Sequence, residues 1–319
     1  QAPEVWPRVG MDAVLAREVK KGSVSGVKER ISQLSRAALG DVDKWRGTVL
    51  HHAACMRSST AAEIICILVE VMHEKQVSAV DKGKDTAVHQ LLRNHAFDSW
   101  EDELQWRRGR KAAAAALVGK MTKSSLFAKG GNHHSAFALL CSAMILPAVA
   151  VAMDRFGDSI VFEGKIPGDS MIIDMIWGLT VWIADEHDER DEATLVRMIN
   201  AVSREELVCD GLGASAMVIH YFPASAICHF LTRTMEDGNP PSVADDEANL
   251  LHAVALAGRE ELLEELAPFL LPEHYLQSDL QRGLTPWQVA EQRYDETKEE
   301  CFARTAALLK PHTKSAATS

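Results

Sequence analysis

The chain is poor in aromatic residues and has no long apolar run. Aromatic side chains make up only 6% of its 319 residues, whereas Ala and Leu are abundant. Sheet sandwiches are enriched in aromatic and β-branched residues, so this composition favours short packed helices. No run of 18 or more apolar residues occurs, so we expect no membrane-spanning segment. The strongest candidate, residues 136–153, contains Pro147 and predicts two buried helices instead.

Paired cysteines and an excess of positive charge are also missing. The six cysteines are scattered without a CxxC pair, and most lie in apolar stretches where a free thiol packs as a small hydrophobe. We therefore expect a reducing compartment, the cytoplasm. The formal net charge of −11 argues against general binding to nucleic acid or anionic membranes, and it slightly favours a positively charged protein partner.

The stretch NLLHAVALAGREELLEEL, residues 249–266, predicts two short helices separated by a break. Gly258 ends the first helix because glycine adopts the left-handed conformation at little cost. Leucines at helical spacing then mark the buried face of the second helix. Such a unit cannot cover its own apolar face and needs similar neighbours stacked against it.

Two further stretches open in the same way, TVLHHAA at residues 48–54 and GLTPW at residues 283–287. These strings resemble the start of an ankyrin repeat, D-x-x-G-x-T-P-L-H-x-A-A. In that motif Thr caps the helix, Pro is tolerated in the first turn, and His holds the loop backbone. The resemblance implies an all-α solenoid of stacked helix–turn–helix units.

Predicted helix starts recur along the chain at Thr48, Thr86, Ser135, Ser170, Ser215, Asn249 and Thr285. Most intervals lie within about five residues of the roughly 33-residue ankyrin unit, and the two longest carry insertions. A leading helix pair at residues 12–34 lacks the motif and is interpreted as a capping repeat. We predict about eight units in all.

The predicted organisation is one solenoid over residues 12–310, between a lead-in at 1–11 and a flexible tail at 311–319. Within the solenoid we expect an N-terminal cap at 12–40, two repeats at 43–124, divergent repeats at 125–240, and two repeats at 243–310. Two departures from the family pattern stand out. Gly47 and Gly83 are each displaced by one place from the turn glycine, in opposite directions, and a polar insertion separates Phe97 from Arg110.

The residues that could take part in catalysis or bind a metal are better explained by structural roles. His51, His89 and His252 share one repeat position, so each is expected to hold its own loop by a hydrogen bond. Cys228-His229 lacks a recognisable base and orienting group, and the acidic run at residues 185–192 lacks the ligand pattern of a calcium loop. We therefore predict no metal, no cofactor and no enzymatic activity.

The resemblance implies a protein partner held by loop tips and first helices. Its variable positions correspond here to Lys44, Trp45, Cys55 and Met56, to Lys82, Arg93 and Asn94, and to Gln281, Arg282, Leu284, Gln292 and Arg293. The insertion adds residue types that dominate interface hot spots, namely Trp100, Trp106, Arg107, Arg108 and Arg110. An equally weighted alternative is that its Trp side chains anchor a long loop on its own repeat.

The predicted function is a monomeric scaffold that binds a protein of unknown identity. Two alternatives remain open. One is the targeting domain of a secreted bacterial effector that acts in the host cytosol and whose enzymatic part lies outside this chain. The other is a helical domain with a small-molecule site in residues 125–240.

Overall fold

A computed structural model describes residues 10–56, 58–93, 100–131, 133–163, 189–201, 218, 222–234, 249–279 and 282–316. The side chains of residues 100–108, 162, 163, 189 and 311–316 lie outside this description. The described residues are predominantly helical and contain no β-strand beyond one isolated bridge between Lys129 and Ser135, which confirms the all-α class. None of the helices in these ranges is long and apolar enough to cross a membrane.

The chain forms two compact units, Gln1–Pro167 and Gly168–Ser319. In the first unit the helices are α1 (Ala13–Lys20), α2 (Val24–Gln33), α3 (Val49–Ala54), α4 (Ala61–Val71), α5 (Glu74–Val77), α6 (Ala87–Leu92), α7 (Trp100–Lys120), α8 (Lys123–Leu126), α9 (Ala136–Ser142), α10 (Leu146–Phe156) and α11 (Ile160–Glu163). The continuous solenoid over residues 12–310 stays a prediction.

Helices of the first unit pack in two successive rows. Helices α1, α3, α6 and α9 contact one another in that order, and α2, α4, α7 and α10 do the same. Each member of one row also contacts a member of the other, as α1 does α2 and α3 does α4. The space between the rows is filled by fully buried apolar side chains such as Leu50, Ile65 and Leu117. Each helix pair therefore covers the apolar face of the next.

Five of the predicted helix starts are N-caps in the structure: Thr48, Thr86, Ser135, Asn249 and Thr285. The predicted leading helix pair is also confirmed as α1 and α2, and Gly22, with a φ of 68°, lies between them. The apolar stretch at 136–153 forms the two helices α9 and α10, with Pro147 in the first turn of the second. The predicted starts at Ser170 and Ser215 lie outside the described residues.

The polar insertion between Phe97 and Arg110 was interpreted as a loop, and from residue 100 onward this interpretation is wrong. Helix α7 runs without interruption from Trp100 to Lys120. Its sequence is rich in Ala, Arg, Glu and Leu, which are strong helix formers, and it contains two glycines, Gly109 and Gly119. Gly109 allows close helix packing, because a Cβ there would lie 2.7 Å from the Cβ of Ala62.

The second unit contains α12 (Glu189–Ala201), α13 (Ala224–Thr234), α14 (Leu250–Ala257), α15 (Leu262–Leu266), α16 (Pro286–Thr297) and α17 (Glu300–Ala316). Gly258 ends α14 with a φ of 65°, as expected. Helix α12 begins inside the acidic run, where Asp191 is buried. Helix α17 continues past Lys310 to Ala316, so the predicted boundary of the tail at residue 311 shifts. Leu251, Ala255, Val289 and Leu309 belong to the core that joins α14, α16 and α17.

Candidate interaction surface

The loops before α3 and α6 are built alike. Each is closed by a backbone hydrogen bond from its leading Asp to the residue before the helix cap, from Asp43 N to Gly47 O at 3.0 Å and from Asp81 N to Asp85 O at 2.9 Å. Each then turns through a left-handed residue, Arg46 with a φ of 62° and Lys84 with a φ of 67°. These loops present residues 44–46 and 82–84 to solvent, whereas Gly47 and Asp85 next to the caps are buried.

Buried histidines connect each loop to the next. His51 Nδ1 accepts from the Thr48 backbone N–H at 3.2 Å, and its Nε2 donates to the carbonyl oxygen of Asp85 in the following loop at 3.0 Å. His89 repeats the arrangement with Thr86 at 3.1 Å and with the carbonyl of His134 at 3.1 Å. This pattern assigns a neutral ring protonated at Nε2. The expectation that each His holds its own loop is confirmed, and the bond to the next loop is an addition.

Among its described residues, the second unit contains one histidine with the same two hydrogen bonds. His252 Nδ1 accepts from the Asn249 backbone N–H at 3.1 Å, and its Nε2 donates to Leu284 O at 3.0 Å. Burial lowers the pKa of His51, His89 and His252, because the charged ring would lose its hydration there. These rings are therefore held neutral, with both nitrogens engaged in the loops.

The carboxylates beneath the loops are turned inward. Asp43 Oδ1 accepts from the backbone N–H groups of Trp45 at 2.8 Å and Gly47 at 2.9 Å, while its Oδ2 meets His52 Nε2 at 3.0 Å. Asp81 accepts from Gln90 Nε2 at 2.8 Å. These oxygens accept hydrogen bonds within their own loops, and no ion pair of the described residues joins them to the cations at the loop tips.

The predicted residues Lys44, Trp45 and Lys82 are brought together at these tips. The two loops join where Lys82 N donates to Trp45 O at 2.7 Å. Trp45 is 56% exposed, the highest value among the large hydrophobic side chains described. The ammonium groups of Lys44 and Lys82 lie 5.4 and 5.3 Å from its ring centroid, within the range of a cation–π interaction.

Sequence reasoning missed two members of this surface, Arg46 and Lys84. Both are exposed and stand at the loop position where the ankyrin pattern has glycine. The displaced glycines Gly47 and Gly83 were the available signal, since each leaves a cationic residue at the turn position. We call the exposed residues of both tips, Lys44, Trp45, Arg46, Lys82, Gly83 and Lys84, the loop-tip patch.

Other predicted contact residues of the first unit lie at helix ends. Cys55 and Met56 directly follow α3, where Cys55 is exposed and Met56 half-buried. Arg93 follows α6, is exposed, and pairs with the buried carboxylate of Asp85. Although the residue as a whole is exposed, its thiol donates to Gln90 Oε1 at 3.4 Å, and desolvation of the thiol raises its pKa, so Cys55 is not a ready nucleophile. Asn94 lies outside the described residues.

The insertion residues and the last unit contribute less. The side chains of Trp100, Trp106, Arg107 and Arg108 lie outside the described residues, as does Gln281. In the second unit Arg282 and Gln292 are exposed. Arg293 is half-buried, pairs with Glu296 at 3.0 Å and lies over the ring of Phe302 at 5.6 Å, so it packs α16 against α17.

An open cleft of about 290 Å³ lies between α1 and α2 and is lined in part by Glu18, Glu29 and Arg30. Arg30 is paired with Asp12 at 2.6 Å, and Glu18 with Lys21 at 3.2 Å. Two of these three charged side chains are therefore already partnered. In the ranges that the structure describes, no three His, Cys, Asp or Glu side chains are grouped to hold a metal ion.

Comparison with known proteins assigns no family. No protein-family model matches the chain, and no curated protein is detectably similar to it. What the chain binds therefore has to follow from the geometry of its own residues.

Proposed function

We propose that the protein is an interaction scaffold built from divergent ankyrin-type repeats, and that it binds a partner protein through its loop tips and first helices. Three observations support this proposal. Helix caps recur at the spacing of the repeat, helix pairs of the first unit pack in two rows, and buried histidines tie each loop to the next. Such an array holds a row of loops in a fixed relation, which suits recognition of an extended partner.

The observation that carries the proposal is Trp45. Exposing the large apolar surface of a Trp side chain to water is unfavourable, and burying it in an interface is favourable. Trp is also among the residues most enriched in binding hot spots. Here its ring is positioned by Lys44 and Lys82 on loops whose backbone is fixed from below. Little ordering entropy would be lost on binding, because the surface is already arranged.

We propose a binding role without catalysis, in the cytoplasm and as a monomer. The buried histidines support the absence of catalysis, since both ring nitrogens of His51 and His89 are used to hold loops. The effector alternative stays a prediction. Much of residues 125–240, where a small-molecule site was the other alternative, lies outside the described residues.

The test is capture of partner proteins by the intact chain, by its Trp45→Ala/Lys82→Ala variant and by a control. The control carries Lys28→Ala and Lys75→Ala, which remove two exposed lysines outside the loop-tip patch. We expect the parent and the control to retain the same protein and the Trp45 variant to lose it. All three should unfold at nearly the same temperature, because surface truncations cost little.

A protein retained equally by all three would leave the scaffold in place but move its binding surface away from the loop-tip patch. Absence of any specific protein, repeated with lysates from several growth conditions, would contradict the scaffold itself. The readout is quantitative mass spectrometry of the eluted proteins, with the ratio of parent to variant as the measured quantity.

A further inference from the structure

We propose that the loop-tip patch binds an acidic peptide segment, with Glu or Asp carboxylates against its four cations and an apolar side chain against Trp45. This inference rests on the proposed scaffold function and names the chemistry of its partner. It also reverses the expectation from net charge, which favoured a positively charged partner. The overall charge of a protein describes its surface on average, whereas a partner meets one local surface.

The first argument is charge. Lys44, Arg46, Lys82 and Lys84 are all exposed on two adjoining loops of a chain whose formal net charge is −11. The nearest carboxylates in sequence, those of Asp43, Asp81 and Asp85, accept hydrogen bonds from the loops or from the side chains beneath them. Within the part of the chain that the structure describes, no ion pair involves the four exposed cations, so they are available to a partner's carboxylates beside the exposed ring of Trp45.

The second argument is backbone strain. Arg46 and Lys84 occupy the left-handed region, which costs a residue with a Cβ about 1–2 kcal/mol relative to its normal conformation. Glycine would remove this cost, and each loop has a glycine next to the strained position, Gly47 or Gly83. Strained residues cluster at functional sites because the strain is retained for what the side chain does. Five described residues other than glycine have a positive φ, and three of them, Arg46, Lys84 and Lys298, are exposed cations. Arg46 and Lys84 are the pair that lies on adjoining loops.

The third argument is the aromatic ring. Trp45 presents more than half of its surface, and the two lysines over it bring ammonium groups next to an apolar face. A partner that alternates carboxylates with an apolar side chain satisfies both features at once. Charges at the rim of an interface chiefly set the association rate and the specificity. The Trp45 ring, once a partner covers it, would contribute more of the affinity.

A peptide fits this surface better than a nucleic acid or a membrane. Binding to a phosphate backbone grows with the number of phosphates neutralised, and the large excess of negative charge elsewhere on the chain repels an extended polyanion. The same repulsion opposes approach to an anionic bilayer. A short acidic segment contacts the patch alone.

The experiment uses the full chain and a fluorescein-labelled nonapeptide that has six carboxylates and a central Leu. Its matched control peptide replaces every Glu by Gln and every Asp by Asn. Fluorescence anisotropy gives the Kd at about 0.05 M and about 0.15 M salt, where screening becomes strong over about 8 Å. We expect the acidic peptide to bind at least tenfold more tightly than the amide peptide at the lower salt concentration.

Two charge-reversal variants separate the patch from net charge. Arg46→Glu/Lys84→Glu removes the strained cations, and Lys28→Glu/Lys75→Glu makes the same change of net charge at exposed positions elsewhere. We expect at least a tenfold loss of affinity in the first and less than a twofold loss in the second. Trp45→Ala should weaken binding of the acidic peptide while keeping the preference over the amide peptide.

Three results would overturn the inference. They are equal affinity for both peptides, equal loss in both charge-reversal variants, and tighter binding to a labelled single-stranded RNA or to phosphatidylserine vesicles than to the peptide. Failure here is distinguishable from failure of the scaffold. Partner capture that depends on Trp45, without preference for the acidic peptide, would keep the scaffold and reject the acidic partner.

Discussion

The loops before α3 and α6 and the loop before α16 perform the same structural task with different side chains. Each reverses the chain and ends in a Thr that caps the following helix. At the left-handed position the first two have Arg46 and Lys84, whereas the last has Gly283, with a φ of 66°. The group that holds the cap is His51 or His89 in the first two loops and Gln288 in the last.

This difference separates what the backbone requires from what the side chains add. Gln288 Oε1 accepts from the Thr285 backbone N–H at 2.9 Å, so a Gln is sufficient to hold the cap. The histidines do the same and also reach the next loop through Nε2. Glycine is likewise sufficient for the turn. The loops of the first unit therefore contain a bond between neighbours and two exposed cations beyond what the turn needs.

Replacing His51 is expected to have the largest effect on stability. His51→Ala removes the bonds to Thr48 and Asp85 and leaves buried polar groups without partners, so we expect a loss of about 3 kcal/mol. His51→Gln restores the bond to the Thr48 N–H, as in the loop before α16, and should cost about 1–2 kcal/mol. Urea unfolding followed by circular dichroism measures both.

Gln288→Ala is the matched control in the second unit. It removes a cap bond alone, so we expect a cost of about 1 kcal/mol. If His51→Ala costs no more than Gln288→Ala, the bond between neighbouring loops contributes nothing measurable to stability. If His51→Gln is as costly as His51→Ala, the ring itself is needed for packing.

Acid should lower the stability contributed by the loops that His51 and His89 hold more than that of the loop that Gln288 holds. Burial lowers the pKa of His51, His89 and His252 below the 6.5 of a free imidazole. The unfolded chain therefore binds protons that the folded chain excludes, so stability rises with pH in this range. The stabilisation is fully present above about pH 6.5 and is lost as the pH falls below that value.

The measurement compares urea midpoints at pH 7.5 and 5.5 for the parent and for His51→Gln/His89→Gln. We expect the parent midpoint to fall on acidification and the variant midpoint to fall clearly less. Carboxylates titrate mainly below this range, so they change both proteins alike. An identical pH dependence in the two proteins would show that these rings do not resist protonation.

Much of the local structure could be predicted from single residues. Thr48, Thr86 and Thr285 predicted helix starts, because Thr side chains cap helices. Gly258 predicted a helix end, because glycine readily adopts the left-handed conformation. The helix at residues 100–110 was missed because polarity was interpreted as a loop. WEDELQWRRGRK has no apolar periodicity, but its intrinsic helix propensity is high.

The loop-tip patch could be predicted only in part. Trp45 and Lys82 followed from the variable positions of the repeat, whereas Arg46 and Lys84 stood where the pattern has glycine and were passed over. Their conformation depends on the hydrogen bonds of the closed loop, from Arg46 N to Asp43 O at 3.0 Å and from Lys84 N to Asp81 O at 3.1 Å. Those contacts are not visible in residue types, although the displaced glycines indicated that the turn was unusual.

Glycine at the two strained positions is expected to have the smallest effect on stability, and in the opposite direction. Arg46→Gly and Lys84→Gly each relieve left-handed strain of about 1–2 kcal/mol, partly offset by the greater backbone entropy of glycine when unfolded, so we expect a gain of about 0.5–1 kcal/mol. The reciprocal change, Gly283→Lys, should cost about 1 kcal/mol. A Cβ at residue 283 meets no atom within 4 Å, so this cost reports strain alone.

The same variants sharpen the functional comparison. Arg46→Gly/Lys84→Gly should unfold at a higher urea concentration than the parent and yet bind the acidic nonapeptide at least fivefold more weakly. Stability and binding would then change in opposite directions, as they do when strain is retained for function. If the double variant is less stable than the parent, the long side chains of Arg46 and Lys84 support the loops themselves, and their conformation is no longer an argument for a binding site.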